Sequence, residues 1–208
     1  MKIELLHKNL FDIRDNDGIS YGGSQDWYTK EWNQKAGCGP TAASNLVWYL
    51  SKTRESIKHL CTHDGSVRAG FSDIMSDMWG YVTPGSMGVN KVSMLAKGVV
   101  RYAAERGIGL RAETVVIPRR AARRPPWQDI LTYLGDVLSR DLPVAFLNLS
   151  KGELKNLDTW HWVTITAFDS KTGIAEISDE GVCKEIDICL WCSTTKIGGG
   201  FAAFDIEK

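Results

Sequence analysis

Apolar side chains recur every three or four residues through much of the first half of the chain, which is the period of an amphipathic helix. The clearest stretch is residues 89–106, where Gly107 supplies a stop signal. Its apolar positions at helical spacing are Val92, Leu95, Val99, Tyr102 and Ala103. The first half is also predicted to hold three further helices, over residues 40–53, 57–61 and 71–79.

Alternating and β-branched segments dominate the second half and predict strands there. The predicted strands cover residues 110–117, 143–149, 161–168, 174–178, 184–191 and 199–206, and a helix over 127–140 interrupts them. Near the start of the chain, residues 3–6 and 11–13 are predicted to be short packing segments, and residues 15–24 irregular structure. Helices followed by an antiparallel sheet predict an α+β fold. We expect one domain over residues 1–208, with a helical part over about 30–107 and a sheet part over about 108–208.

Composition narrows the classes of function. The chain has 208 residues, 43% of them hydrophobic and 24% charged, as in an ordinary globular domain with a sizeable core. The net charge is zero, so no overall field draws the chain to nucleic acid or to an anionic membrane, and neither is an expected partner. The N-terminus does not have the pattern of a signal peptide, and no apolar run reaches the roughly 18–20 residues of a membrane span. Five cysteines without a disulfide framework favour the reducing cytoplasm.

Cys38 stands at the start of the predicted helix, within the sequence G-C-G-P. Pro40 suits a first helical turn, and Gly37 and Gly39 allow a sharp turn and close approach of a substrate. A cysteine at the positive end of a helix dipole favours the thiolate, which is the reactive form. Four residues earlier, Gln34 offers an amide donor to the same place. The segment therefore proposes a nucleophile and an oxyanion donor, with a small buried core cysteine as the alternative.

His161 is the candidate base. The sequence holds four histidines, and His161 lies between Trp160 and Trp162 at the start of a predicted strand. An imidazole there can rest one ring nitrogen against a thiol while the tryptophans restrict water. A half-buried core histidine is the alternative.

Asp179 is the candidate carboxylate that orients this imidazole. If Phe168 faces Ile174 across the predicted hairpin, His161 comes to lie opposite Gly181. Side chains alternate along a strand, so Asp179 then points to the same face as His161, one diagonal step away. A slip of one residue would turn Asp179 to the other face. Other acidic residues remain open for this role: Asp158, Glu180 and Asp169.

Taken together, these motifs resemble the papain-like cysteine peptidases, in particular the branch of the bacteriocin-leader-processing peptidases and their free-standing relatives. The residues that carry the resemblance are Gln34, G-C-G-P-T-A-A with Cys38, W-H-W-V with His161, and I-S-D with Asp179. Their order and intervals agree with the family over residues 34–179. The chain has no transporter segments or ATPase motifs, so we do not expect it to act as a leader-processing exporter. Residues 61–88 and 118–126 match nothing in that pattern, and we expect substrate choice to reside there.

The resemblance implies a catalytic set and a fold. Cys38 and His161 would form a thiolate–imidazolium pair, Asp179 would orient the imidazole, and Gln34 with the Cys38 backbone N–H would form the oxyanion hole. The Cys38 helix would pack against an antiparallel sheet, with the cleft between them.

The expected activity is hydrolysis of peptide bonds in a peptide or protein substrate, through a thioester acyl-enzyme and without a cofactor. The same thiol chemistry fits an amidase, a deamidase or a transglutaminase-like acyltransferase, and an inactive binding module is a further alternative. The sequence gives no indication of the oligomeric state.

Two other clusters carry weaker chemistry. A zinc site is conceivable from cysteines and histidines in two parts of the chain: Cys183, Cys189, Cys192, His59, Cys61 and His63. Residues three apart on a strand face opposite sides, which argues against a shared metal for the C-x-x-C pair, and no metal is expected. Four arginines follow residue 118: Arg119, Arg120, Arg123 and Arg124. We interpret them as a solvated loop, with binding of an acidic partner or phosphate as the alternative.

Overall fold

A computed structural model describes residues 1–16 and 18–207 and has an α+β fold. The helices within these residues are α1 Glu31–Ala36, α2 Cys38–Thr53, α3 Arg68–Trp79, α4 Val92–Ala104, α5 Trp127–Ser139 and α6 Ile188–Thr194. The strands are β1 Lys2–Glu4, β2 Asp12–Asp15, β3 Gly18–Tyr21, β4 Leu110–Ile117, β5 Val144–Asn148, β6 His161–Asp169, β7 Ile174–Asp179, β8 Val182–Asp187 and β9 Gly199–Ile206.

Among these residues, seven strands form one antiparallel sheet in the order β4-β9-β5-β6-β7-β8, with β1 paired to β6. The remaining two strands, β2 and β3, form a separate hairpin. The first strand of the chain is therefore part of the sheet that the second half builds. The helical and sheet parts expected from the sequence are interleaved to that extent.

Helices cover both faces of the sheet. On one face, Asn45 of α2 bonds Thr164 of β6, and Val92 of α4 lies against Gly200 of β9. On the opposite face, aromatic rings of α5 and α6 contact Phe201 of β9. Because side chains alternate along a strand, Thr164 and Gly200 point one way and Phe201 the other. The sheet thus forms the middle of three layers.

Helix α2 is the most deeply buried helix, with every residue from Gly39 to Ser51 inside the protein. Its first turn contains Pro40, where the missing N–H costs no hydrogen bond. Small side chains, including Ala42 and Ala43, are fully covered by neighbouring groups. Asn45 is one of the buried polar residues of α2, and its amide is bonded to Thr164, to Ser178 and to the backbone N–H of Gly23. This network fixes α2 against β6 and β7.

Two sequence predictions about secondary structure are wrong. Within residues 15–24, which were predicted to be irregular, Gly18–Tyr21 form strand β3, because backbone pairing to β2 and burial of Ile13 on β2 outweigh a polar composition; Asp17 of this stretch lies outside the described residues. Residues 184–191 are not one strand. Strand β8 ends at Asp187, whose carboxylate accepts from the Leu190 N–H at 2.8 Å and caps helix α6.

The register between β6 and β7 changes along the hairpin. Near its closed end, Phe168 pairs with Ala175, one residue away from the predicted partner. A bulge between Ile165 and Ala167 absorbs the difference. Beyond the bulge, Thr164 pairs with Ser178, which is the predicted register. The bulge therefore sets which residues of β7 lie beside the start of β6.

Candidate active site

Cys38 is the first residue of α2 and is partly exposed. The chain passes almost without a break from α1 to α2 through Gly37, which has φ −83° and ψ −3°. A side chain at Gly37 would place its Cβ 2.4 Å from the Asn33 carbonyl oxygen and 2.5 Å from the Tyr28 ring. A side chain at Gly39 would lie 2.8 Å from Val89. The two glycines therefore allow the close approach of neighbouring segments around the thiol.

His161 begins β6, and its imidazole is bonded to Asp179 at the end of β7. The distance from His161 Nε2 to Asp179 Oδ1 is 2.7 Å, and the two residues are only 8% and 5% exposed. The ammonium group of Lys184, on β8, donates to the other carboxylate oxygen at 2.8 Å. Although burial would raise the pKa of Asp179, the His161 and Lys184 partners hold it below its ordinary value. The carboxylate is thus kept ionised next to the imidazole.

Cys38 and the first residues of β6 line the same small cavity, so the thiol lies beside the sheet close to His161. Burial alone would lower the pKa of His161, but the hydrogen bond to Asp179 and the neighbouring Cys38 sulfur together raise it to about 10. Since Nε2 is bonded to Asp179, Nδ1 is the ring nitrogen that remains available to a thiol. The structure therefore brings together three of the four predicted site residues, and it favours the imidazolium form of the histidine.

Gln34 lies one helical turn before Cys38, but its side-chain amide points elsewhere. The amide nitrogen donates to the Tyr28 carbonyl at 2.7 Å and to the Asp26 carbonyl at 3.3 Å. Two carbonyl acceptors identify this atom as the nitrogen, and they use both of its hydrogens. In this arrangement Gln34 holds the turn over residues 26–28, and its role as an oxyanion donor stays a prediction.

The three other acidic candidates for the orienting role occupy different places. Asp169 lies at the far end of β6 and bonds the N-terminal ammonium of Met1 at 3.0 Å. Asp158 is exposed, and its backbone carbonyl accepts from Asn148 at 2.5 Å. Glu180 lies close to the site, with Oε1 3.7 Å from His161 Nε2.

An apolar cleft of about 370 Å³ opens beside Cys38. Its walls come from α1, the loop before α4, the end of β5 and the residue before His161; they are Trp32, Lys35, Ala36, Ser86, Met87, Gly88, Val89, Leu147, Leu149 and Trp160. Three of these side chains are large, apolar and open to solvent: Trp32 is 50% exposed, Met87 59% and Trp160 42%. Exposed apolar groups that converge on a cleft of this size are typical of a ligand site.

Trp160 is held in a strained conformation at the rim of this cleft. Its φ is +58°, in the left-handed region that costs energy for a residue with a side chain. The loop before it is anchored because the Asn148 side chain bonds the Asp158 carbonyl and the Trp191 indole. Trp162, on the other side of His161, is buried and donates to the Val89 carbonyl at 2.6 Å.

Sequence reasoning missed several groups around the site. Lys184 was not singled out, because its partner Asp179 becomes its neighbour only through the β7–β8 pairing. Met87 lies in a segment that matches no motif, and no motif marks Trp32 as a cleft residue. Large apolar residues in polar loops were the signal that could have found these cleft groups.

Several possible metal-ligating side chains lie close together beside the imidazole. Within the described residues, the only group of three or more ligand side chains is His161, Asp179 and Glu180, whose ligand atoms lie within 4.8 Å of one another. The ammonium of Lys184 on Asp179 opposes a cation there. Cys189 and Cys192 lie one turn apart on α6, so the argument against zinc from a strand was wrong, although no third ligand group joins them among the residues described.

The four arginines of residues 118–126 differ in their surroundings: one bonds the backbone and three are exposed to solvent. Arg124 donates to the backbone carbonyls of Pro118, Cys192 and Thr195, so it joins the loop to the end of α6. Arg119, Arg120 and Arg123 are exposed.

Comparison with known proteins adds little to this geometry. No family model matches the sequence, and no curated protein matches it. Among solved structures, the chain is similar to the Pseudomonas avirulence protein AvrPphB, with 11% identity and a TM-score of 0.34, over 88% of this chain and 98% of the other. A likeness at that TM-score carries no conclusion about fold family or activity. Of the described helices, none has the length and apolar character needed to cross a bilayer.

Proposed function

We propose that this chain is a papain-like cysteine peptidase that hydrolyses peptide bonds through Cys38, His161 and Asp179. The observation that carries the proposal is the His161 imidazole, which is bonded to the buried Asp179 carboxylate and lies near the Cys38 thiol at the start of α2. A nucleophile, a base and a group that orients the base are the parts required for acyl transfer by a thiol.

The reaction begins with attack of the Cys38 thiolate on a substrate carbonyl carbon. The negative charge that develops on the carbonyl oxygen would be stabilised by N–H groups at the start of α2, which have no partner within that helix. His161 then gives its proton to the leaving amine as the C–N bond breaks and a thioester forms. In the second half, the neutral imidazole takes a proton from water, the hydroxide attacks the thioester, and the thiolate is released.

The apolar cleft is the proposed binding site for the substrate. Its walls hold two tryptophans and a methionine, and Lys35 is the charged residue among them. A cavity of about 370 Å³ has room for one or two bulky side chains. We therefore propose that the preferred peptides carry an aromatic or large aliphatic side chain close to the cleaved bond.

The same thioester serves an amidase, a deamidase or an acyltransferase, and these differ from a peptidase in what leaves and what accepts the acyl group. A peptide library read by mass spectrometry separates them: cleavage gives two fragments, deamidation adds one dalton, and transfer gives a heavier adduct. We expect fragments, and none with Cys38→Ala. Full activity of the Cys38→Ala variant would overturn the assignment, and a one-dalton or heavier product would replace peptidase by the corresponding activity.

A further inference from the structure

Glu180 occupies an unusual position next to the proposed site. Asp179 pairs with Val182, so Glu180 and Gly181 are the two central residues of the turn between β7 and β8. Their φ values are +49° and +77°, which is the type I′ conformation favoured by asparagine, aspartate and glycine. A glutamate there bears a conformational cost. Such a cost at a functional site invites a search for what the side chain does.

The carboxylate of Glu180 contacts two parts of the molecule. One oxygen, Oε1, lies 3.7 Å from His161 Nε2. The other, Oε2, accepts from the Ser24 hydroxyl at 2.9 Å and from the Gln25 backbone N–H at 3.0 Å. Burial raises the pKa of Glu180, while the charge of His161 and these two donors act in the opposite direction.

Residues 21–28, here called the strap, connect this turn to the nucleophile helix. The strap is bonded to the turn by the Tyr21 N–H, which donates to the Gly181 carbonyl at 2.7 Å. It is bonded to α2 by the Gly23 N–H, which donates to Asn45 at 3.0 Å. Glu180 therefore joins the segment beside Cys38 to the turn that follows Asp179.

Asp179 does not act on protonated His161 with its full charge, so a second carboxylate can add to the stabilisation of the imidazolium. Asp179 is the nearest carboxylate, but its second oxygen is bonded to the Lys184 ammonium, which offsets part of its charge. Cys38 faces the ring from α2, and Glu180 faces it from the turn. At a distance of 3.7 Å and with little intervening solvent, a carboxylate acts strongly on an imidazolium.

We propose that Glu180 is a positioning residue for the peptidase reaction: it anchors the strap to the β7–β8 turn, and its charge stabilises protonated His161 in the pair with Cys38. This inference rests on the proposed function for its biological meaning, but the charge effect can be measured without turnover.

The experiment is an NMR titration of the His161 ring in the full chain. Glu180→Gln keeps an acceptor oxygen for Ser24 and Gln25 but removes the charge, whereas Ser24→Ala breaks one strap bond and keeps the charge. We expect Glu180→Gln to lower the pKa of His161 by about one unit. In Ser24→Ala the pKa should stay within about 0.2 unit of the wild-type value, since the carboxylate remains.

An unchanged His161 titration in Glu180→Gln overturns the proposal, as does an equal fall in both variants, because the effect would then come from lost bonds. Should Glu180→Gln not fold, Glu180→Gly removes the same charge and suits the left-handed turn. The outcome is separate from the proposed function. If Cys38→Ala loses turnover but the His161 titration does not move in Glu180→Gln, the peptidase proposal stands and the role of Glu180 is rejected. If Cys38→Ala keeps turnover but the titration moves in Glu180→Gln, the peptidase proposal is rejected and the charge effect of Glu180 stands.

Discussion

At the scale of single residues, the account depends on the charge of His161. The side chain is buried, which favours the neutral imidazole, yet the bond to Asp179 and the neighbouring Cys38 outweigh the loss of solvation and raise the pKa of His161. The hydrogen bond that the ring donates to the Asp179 carboxylate contributes most to raising this pKa. In the proposed reaction, this charge would prepare His161 to donate a proton before substrate binds.

Asp179→Asn tests this balance. The amide removes the negative charge beside Nε2, so we expect the pKa of His161 to fall from about 10 towards its ordinary value of 6.5. Turnover at neutral pH should fall at least about a hundredfold, since the imidazolium is no longer stabilised. A titration of the ring by NMR and an assay on cleaved peptides measure the two effects.

Asp169→Asn is the matched control for both measurements, because Asp169 lies on the same strand as His161 but bonds the N-terminus.

The raised pKa of His161 also determines how the free energy of unfolding depends on pH. Stabilisation by the protonated ring is complete below pH 6.5 and is lost as pH rises through about 10. The wild type should therefore exceed Asp179→Asn in free energy of unfolding by less and less as pH rises from 6.5 to about 10. A difference that grows with pH would contradict the charged pair.

A site residue could be predicted from the sequence when the signal for it lies within a few neighbouring residues. Cys38 was identifiable because the glycines and proline around it form a turn–helix signal within five residues. The hydrogen-bond partners of the Gln34 amide could not be predicted, since they are backbone carbonyls of a segment without periodicity. Asp179 was preferred to Glu180 by alternation alone, and the structure places both carboxylates near the ring.

At the scale of elements, the β6–β7 hairpin decides the site. Its closed end is shifted by one residue from the predicted pairing, which by itself would turn Asp179 away. The bulge after Ile165 restores the predicted pairing before the strand reaches His161. Strand positions follow from hydrophobic pattern, but a bulge depends on tertiary contacts and could not be predicted. The capped helix α6 illustrates the same limit, because the short apolar run around Trp191 fits a strand or a helix.

Gly22 is the element-scale test of how the strap is seated. It has φ +77°, and a Cβ there would lie 2.1 Å from Ser178 Oγ. Gly107 has φ +72° with open space around it. We expect Gly107→Ala to lower the free energy of unfolding by about 1 kcal/mol, for the backbone conformation alone. Gly22→Ala should cost about 3 kcal/mol, because overpacking is added.

Urea unfolding of the two variants measures this difference. Equal losses would show that the strap can move away from Ser178, and the tight seating described here would be wrong. A larger loss at Gly22 would show that the strap, β7 and α2 form one packed unit.

At the scale of the whole molecule, the site joins parts of the chain that are far apart in sequence. Helix α2 comes from the first quarter and β6 from the last, and Asn45 with Thr164 and Ser178 holds them in contact. The α+β class was predictable from the order of helices and strands, and the structure has it. The residues that line the apolar cleft were not predictable, since the segments that carry them meet only after folding.

The central claim is that this assembly makes Cys38 a selectively reactive thiol. The most direct measurement is the rate at which iodoacetamide alkylates each of the five free cysteines at pH 7, resolved by mass spectrometry, in the wild type and in His161→Ala. Burial raises the pKa of Cys61 to about 11 and of Cys192 to about 12, so these two should react slowly. Cys183 and Cys189 are exposed and serve as internal references. We expect the alkylation rate of Cys38 in the wild type to be at least about tenfold higher than that of Cys183 or Cys189, and this difference to disappear in His161→Ala. A Cys38 rate equal to that of the exposed cysteines, or one unchanged by loss of His161, would contradict it.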